Sequence, residues 1–370
     1  MIGFALVGCG RIVSKHAELL ARGEIAGATL AGVCDVKPER ARAAGEAYKV
    51  PHFTDMHAMM AALGDKVGVV SVLTESGLHA RHTIELARYR KHVVVEKPMA
   101  LTLDDADDMI RACDAAGVKL FVIKQNRYNL PVQYTRRAFE QGRFGRIVMG
   151  TVRVRWCRTQ AYYDQDPWRG TWAQDGGVFA NQASHHIDLL EWFLGEPVSV
   201  FAKARTALVN IEAEDTGVAV ITFKSGAIGV VEATTATRPR DLEGSLSILG
   251  EKGAVEIGGF AVNELKTWQF ADQRPEDKDI LAGAKELPPN VYGFGHKAYL
   301  NHVVDAIRTN RPGLVDGLEG RKSLELISAI YESIETHKEV VLRFQAVEAR
   351  LGRSRSRARR SGHGRSIESD

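Results

Sequence analysis

The chain has 370 residues, 45% hydrophobic and 26% charged, with a formal net charge of +3, which is the composition of a folded globular protein and excludes disorder as the default. The charge is uneven, because the segment from Ala346 to the C-terminus holds seven arginines against three acids and leaves the rest close to neutral. No overall basic character therefore points to nucleic acid.

Two domains are expected at this length. The four cysteines, Cys9, Cys34, Cys113 and Cys157, show no CxxC spacing and are expected as reduced thiols of a cytoplasmic protein. With the first strand expected from Ile2, no signal peptide is expected. No apolar run approaches the roughly 20 residues that span a bilayer, so no membrane role is expected.

In chain order, "IGFALV" (2–7) reads as a strand and is followed by the amphipathic "RIVSKHAELLAR". "ATLAGVC" (28–34) precedes an Ala-rich helix, and "VGVVSVL" (67–73), "HVVVE" (92–96) and "VKLFVI" (118–123) repeat the rhythm. Runs that are apolar throughout indicate strands covered on both faces, hence a parallel sheet with helices on either side. The spacing predicts an α/β unit, a doubly wound Rossmann sheet over residues 1–123.

From "RIVMGTVRVRWCR" (146–158) onward the period changes to strict alternation, with turn signals at "KSG" (224–226) and "GEKG" (250–253). That pattern predicts a largely antiparallel sheet with one wet face. An apolar helix near 177–194 and two late helices near 293–309 and 318–337 complete an α+β second domain over 124–345. The tail 346–370, "RSRSRARRSGHGRS" within it, is low in complexity and expected to be disordered.

"VGCGRI" places Gly8 and Gly10 between the first strand and the first helix, where the backbone must turn tightly and approach a pyrophosphate. The third glycine of that fingerprint is replaced by Val13. Asp35 ends the second strand, where a carboxylate accepts hydrogen bonds from the adenosine ribose and repels a 2′-phosphate. NAD is expected over NADP, although Lys37 follows closely. Arg11 and Ile12 in the turn, with Thr74, His79, Glu96 and Lys97 beyond later strands, complete the predicted cofactor set. Lys97 is aimed by the restricted backbone before Pro98; its bland alternative is a solvent-facing lysine paired with Glu96.

"FALVGCGRI", the "EKP" at 96–98 and "DGGVFANQASHHIDLLEW" (175–192) together resemble the Gfo/Idh/MocA oxidoreductases over about residues 1–345. The resemblance implies that Lys97 contacts the hydroxyl being oxidised. Where that family carries Asp-x-x-x-His, this chain has Asn181 and His185, four residues apart and so on one face of a helix. His185 is the expected proton carrier, with His186 as the alternative base. Asn181, which cannot act as a base, is expected to orient the sugar or His185, and Asp188 is expected to be a structural or supporting residue.

Further segments, "VIKQNRYNLPV", "YYDQDPWRGTWAQDGG" and "NIEAEDTG", are similar to the subgroup that oxidises C3 of nucleotide-linked N-acetyl sugars, in particular UDP-N-acetylglucosaminuronate. That resemblance implies Lys124, Arg127 and Arg169 as cations for carboxylate and diphosphate. It implies Asn126, Tyr163, Thr171 and Gln182 as neutral partners of the sugar. It also implies a homo-oligomer, dimer or tetramer, and recycling of NADH by 2-oxoglutarate; no metal is expected. The competing readings are a dehydrogenase of UDP-GlcNAc, a free sugar or inositol, and a catalytically silent NAD-binding sensor.

Overall fold

The computed structural model describes residues 1–285, 294–342 and 351; the predicted tail lies almost wholly outside them. Six parallel strands form the first sheet: β1 (Ile2–Val7), β2 (Ala28–Cys34), β3 (His52–Phe53), β4 (Val69–Val72), β5 (His92–Val95) and β6 (Leu120–Val122). Their order is β3-β2-β1-β4-β5-β6, so the chain reverses direction across the sheet between β1 and β4. In an open parallel sheet that reversal leaves a crevice beyond the strands' carboxyl ends.

The interleaved helices are α1 (Val13–Ala21), α2 (Pro38–Tyr48), α3 (Met56–Leu63), α4 (His79–Ala87) and α5 (Leu103–Ala116). Local chemistry sets their ends. Asp55 accepts from Ala58 N at 2.7 Å to start α3, and Thr102 accepts from Asp105 N at 3.1 Å to start α5. Gly117, at φ 67°, stops α5 in the left-handed region that glycine enters without penalty.

The second domain adds α6 (Leu130–Glu140), β7 (Ile147–Arg155), the short α7 (Gln160–Tyr163), α8 (Ser184–Leu194), β8 (Pro197–Arg205), β9 (Thr216–Phe223) and β10 (Ile228–Thr234). It continues with β11 (Glu243–Gly250), β12 (Gly253–Gly258), β13 (Glu264–Phe270), α9 (Asp277–Gly283), α10 (Gly295–Arg308), α11 (Gly317–Thr336) and β14 (Val340–Val341). Eight strands run in the order β13-β12-β11-β7-β10-β9-β8-β14. All neighbours are antiparallel except β7 and β10. Both turn signals connect adjacent strands, β9 to β10 and β11 to β12. The inner face packs on α8 and α11; the outer face carries Phe201, Val218, Val220 and Ile228, each more than 40% exposed.

The expected single helix over 177–194 is two pieces. Residues Val178–Gln182 form a π-helical turn, closed by Ala183 N donating to Val178 O at 2.8 Å, before α8 begins at Ser184. Single π turns recur at functional sites because the extra residue re-aims a side chain.

Chain order assigns α10 to the second domain, but its apolar stripe of Tyr299, Leu300, Val303 and Val304 is buried with Phe4, Leu6, Val13 and Phe121 of the Rossmann unit. The late helix closes one face of the first sheet. Leu300 is fully buried there. Leu300→Ala should therefore lower unfolding free energy by about 2–5 kcal/mol in urea titration, while Leu318→Ala on the exposed side of α11 stays within about 0.5 kcal/mol.

Candidate active site

Two connected cavities lie at the carboxyl ends of the first sheet. The larger, 690 Å³, is lined by Gly8, Gly10, Arg11, Ile12, Asp35, Thr74, His79, Glu96 and Lys97, together with Tyr162, Trp168, Arg169 and Asn181 from the second domain. Every residue of the predicted cofactor set therefore borders one space. The smaller, 300 Å³, shares Arg11, Lys97, Tyr162 and Asn181 with it and adds Gln125, Trp156, Cys157, Arg158, Thr159, Gln182 and His185.

The first cavity fits a dinucleotide. Gly8 has φ +103°, and a Cβ there would stand 2.6 Å from Leu73 backbone, whereas a Cβ on Gly10 would meet nothing within 4 Å and would project into open space. The first position serves the turn and the second leaves room for a ligand. No side chain caps α1; Val13 N and Lys15 N close the first turn on Gly10 O and Ile12 O at 3.2 and 3.0 Å, and no side chain competes with an anion approaching that end. Val13, in the third fingerprint position, is buried in the core with Phe4 and Leu6.

The Asp35 carboxylate accepts from Cys9 N at 2.7 Å and Lys37 N at 2.9 Å. Those bonds anchor it at the rim of the larger cavity. His79 works differently from expectation: its ring nitrogens lie 2.7 Å from Pro98 O and 3.0 Å from Thr74 O, making it a buried strut between two strand ends.

A second-domain segment crosses the cleft. Arg40 pairs with Asp166 at 3.2 Å, Arg11 meets Gln165, and Gly77 N donates to Gln174 O at 3.0 Å. Trp168 and Arg169 of this strap line the cofactor cavity, and the Arg169 guanidinium stacks on Trp168 and Tyr162.

The floor is built around Lys97, whose peptide bond to Pro98 is cis. Its Nζ donates to Asn181 O at 2.7 Å and lies 3.4 Å from Asn181 Oδ1. Burial lowers the ammonium's pKa to about 8, partly offset by the carboxylates of Glu96 and Asp175. Behind it, Glu96 Oε2 accepts from Lys97 N at 3.1 Å, while Oε1 lies 3.1 Å from His16 Nε2 and 3.6 Å from His296 Nε2. Burial works against its ionisation, yet the two imidazoles hold the Glu96 carboxyl well below the ordinary range. His296 comes from α10, so the late helix reaches the underside of the site.

His185 is buried with Nδ1 unpartnered. Burial first, and the nearby Lys97 and Lys124 charges second, push it well below 6.5. It is neutral at neutral pH and can accept a proton. His186, the alternative base, borders neither cavity; its ring packs edge-on against Trp156 at 5.6 Å, and burial lowers it to about 4.

The predicted substrate cations divide. Arg169 reaches the cleft, but Arg127 does not. Its guanidinium is bidentate to Asp188, both contacts 2.8 Å, and also binds Glu319 at 3.0 Å. Lys124 donates to Ser323 Oγ at 2.7 Å and lies 3.7 Å from Asp188. Both are about 97% buried and border neither cavity. The reason is α8: the turn that presents His185 inward also buries Asp188, and a buried carboxylate requires cations.

Asn126 is likewise buried away from both cavities. Tyr163 and Thr171 border a separate 270 Å³ surface cleft, and Tyr163 OH lies 3.1 Å from Thr235 Oγ1. Gln182 lines the smaller cavity. The adjacent Tyr162 faces the site instead of Tyr163, its OH accepting from Arg169 at 2.9 Å and Gln182 at 3.2 Å. Arg158 and Trp156 were missed; their signal was their place directly after the alternating run that forms β7.

A doubly wound sheet with a glycine turn, a ribose-facing acid and a desolvated lysine beside a neutral histidine defines a nicotinamide-dependent oxidoreductase. Residues 2–124 match the family model "Oxidoreductase family, NAD-binding Rossmann fold", and residues 136–342 match "Oxidoreductase family, C-terminal alpha/beta domain". The chain belongs to the Gfo/Idh/MocA oxidoreductase family and uses NAD.

Among solved structures it is 44% identical to the WlbA dehydrogenase of Bordetella pertussis, in complex with NADH and UDP-GlcNAcA. That match has a TM-score of 0.86 and covers 93% of this chain and 98% of that one. The Chromobacterium violaceum WlbA, with the same ligands, is 43% identical with a TM-score of 0.86, over 92% and 96%. Among curated proteins, myo-inositol 2-dehydrogenase of Thermotoga maritima is 28% identical over 91% of this chain and 97% of its own length. D-apiose dehydrogenase of Paraburkholderia graminis is 27% identical over 93% and 91%.

Arg127→Met leaves Asp188 buried with one weak partner. Unfolding free energy should fall by about 3–5 kcal/mol. Because the Asp188 carboxyl is held below its ordinary value in the fold, its contribution is present above the unfolded pKa and lost as pH falls through the folded one. The wild-type advantage over Arg127→Met should therefore shrink on acidification, measured as denaturation midpoints across pH.

Proposed function

We propose that this enzyme oxidises the C3 hydroxyl of UDP-N-acetylglucosaminuronate to the 3-keto sugar, with NAD as hydride acceptor. The observation that carries the reading is the sugar-side cavity, where Lys97, Asn181, Gln182 and His185 meet Arg11 and Arg158, in a chain 44% identical to an enzyme whose structure holds NADH and UDP-GlcNAcA. Guanidinium groups beside the reacting centre suit a substrate that carries both a diphosphate and a carboxylate. Trp156 and Tyr162 offer flat faces for the sugar or base.

NAD, when bound, supplies the oxidant. His185, neutral in its desolvated pocket, takes the hydroxyl proton, and cationic Lys97 positions that hydroxyl and stabilises negative charge on the oxygen. Asn181 and Gln182 orient the ring. The reaction places the enzyme in formation of a diacetamido-uronic acid for bacterial surface polysaccharide, in the cytoplasm. In this reading NADH is recycled by 2-oxoglutarate bound through the same cations, and the apolar outer face of the second sheet joins subunits into a tetramer. The second reading, a free sugar or inositol as substrate, is favoured by the names of the 27–28% identical curated relatives.

Purified enzyme mixed with UDP-N-acetylglucosaminuronate should develop reduced-nicotinamide absorbance that UDP-GlcNAc, free N-acetylglucosamine and myo-inositol do not produce. Addition of 2-oxoglutarate should discharge it. Absorbance with inositol or a free sugar alone would establish the second reading. His185→Gln should cut kcat by about 10²–10⁴-fold with NAD affinity retained.

The pH profile follows from the two basic groups. Lys97 acts as a cation and titrates near 8, so kcat/KM of the free enzyme should fall as pH rises past 8. His185, already neutral, should cause no loss between about pH 7.5 and about 6.5. A rise through 8 would instead make Lys97 the proton acceptor.

A further inference from the structure

The family's acid four residues before the histidine is Asn181 here, yet a carboxylate stands directly behind it. Asp175, 2% exposed, accepts from Gly170 N at 2.7 Å through Oδ2 and from Asn181 Nδ2 through Oδ1. The other end of the Asn181 amide, Oδ1, faces two donors, Gln182 Nε2 at 3.1 Å and Lys97 Nζ at 3.4 Å. The amide's orientation is thus determined: a donor toward the acid and an acceptor toward the lysine. Asp175 borders neither cavity. It touches neither cofactor nor substrate in the reading above.

We propose that Asp175 is a positioning residue for the reacting lysine, which through the Asn181 amide keeps an acceptor on Lys97 Nζ and supplies from one residue farther back the negative charge missing at position 181. This rests on the assignment of Lys97 to the reaction.

The acceptor pattern makes the proposal specific. An amide at position 175 can keep Gly170 N with its oxygen, but its NH2 then faces Asn181. Asn181 must flip, and its own NH2 turns toward Lys97 and Gln182, donor against donor. Moving the acid forward repairs this, because a carboxylate at position 181 accepts from the amide at position 175, from Gln182 and from Lys97 together.

The charge also matters. Lys97 is surrounded by Glu96 behind it, Asp175 and Arg169 from the second domain, Lys124 beyond β6 and His185 on α8. Of these, only Glu96 and Asp175 are anionic. Burial pushes Asp175 up to about 6, so from its unfolded value upward the ionising carboxyl costs the fold stability, increasingly until pH passes 6. A carboxylate retained at such a cost is an expected mark of function.

The test compares wild type, Asp175→Asn, Asn181→Ala and the exchange Asp175→Asn/Asn181→Asp as full chains saturated with NAD. Asp175→Asn should bind NAD within about twofold of wild type and melt no lower at pH 8. It should lose about 10- to 100-fold in kcat with KM little changed. The exchange should recover to within about threefold of wild type.

Independently of any substrate, the pH dependence of Lys97 acetylation, read by mass spectrometry at that residue, should move to lower pH in Asp175→Asn and to higher pH in the exchange. Unchanged kcat and an unmoved Lys97 titration in Asp175→Asn would overturn the proposal. So would an exchange variant that binds NAD yet does no better than the single variant. If Asp175→Asn does not fold, Asn181→Ala takes its place as the protein the exchange must surpass. If wild type acts on no nucleotide sugar, the substrate assignment fails while the Lys97 titration still decides the role of Asp175.

Discussion

A cationic amine set largely out of solvent at the floor of the cleft is the constraint around which this molecule is organised. Lys97 sits at the carboxyl end of β5, at the floor of the cavity where the proposed reaction would use it and where desolvation opposes its charge. The surroundings offset that cost from several directions. Glu96 is kept anionic by imidazoles from α1 and α10, the carbonyl of Asn181 takes a direct hydrogen bond, and Asp175 adds a second anion through an amide. These groups come from both domains. The surroundings of the Lys97 nitrogen are therefore complete only when the domains are packed together.

That packing is not a simple apposition of two finished units. Tyr299 and Leu300 of α10 fill the core of the first sheet, α11 packs against both α5 and the second sheet, and Arg127 ties the segment after β6 to α8 through Asp188. The same α8 that buries Asp188 presents His185 to the cavity. Stability and site geometry share one element, which is why two cations that resemble substrate ligands in the sequence are engaged in holding α8 in place.

The π-helical turn at Val178–Gln182 is the local device that joins these roles. It is supported from below by Glu214, which accepts from Phe179 N at 3.0 Å and Tyr331 OH at 2.9 Å. The wider turn gives Asn181 a position from which its carbonyl, its amide oxygen and its amide nitrogen all have partners in different parts of the site. An uninterrupted α-helix would have committed that carbonyl to its own backbone ladder.

Much of this architecture is determined by the sequence alone, because its causes are local. Apolar runs covered on both faces fix a parallel sheet, alternation fixes a half-wet antiparallel one, and a glycine turn before a helix with Asp35 after β2 fixes the dinucleotide crevice. Lys97 and His185 were legible for the same reason, since each stands at a position that local geometry delivers to the crevice. Tertiary structure alone decided the rest. Which of two adjacent tyrosines faces the cleft, whether Arg127 meets substrate or Asp188, that α10 belongs to the first core, and that Asp175 stands behind Asn181 all depend on contacts between residues distant in sequence or on a turn whose pitch departs from the helical repeat. Side-chain charge and spacing carry no record of which partner arrives from across the fold, and in a desolvated site that partner decides what a charged group does.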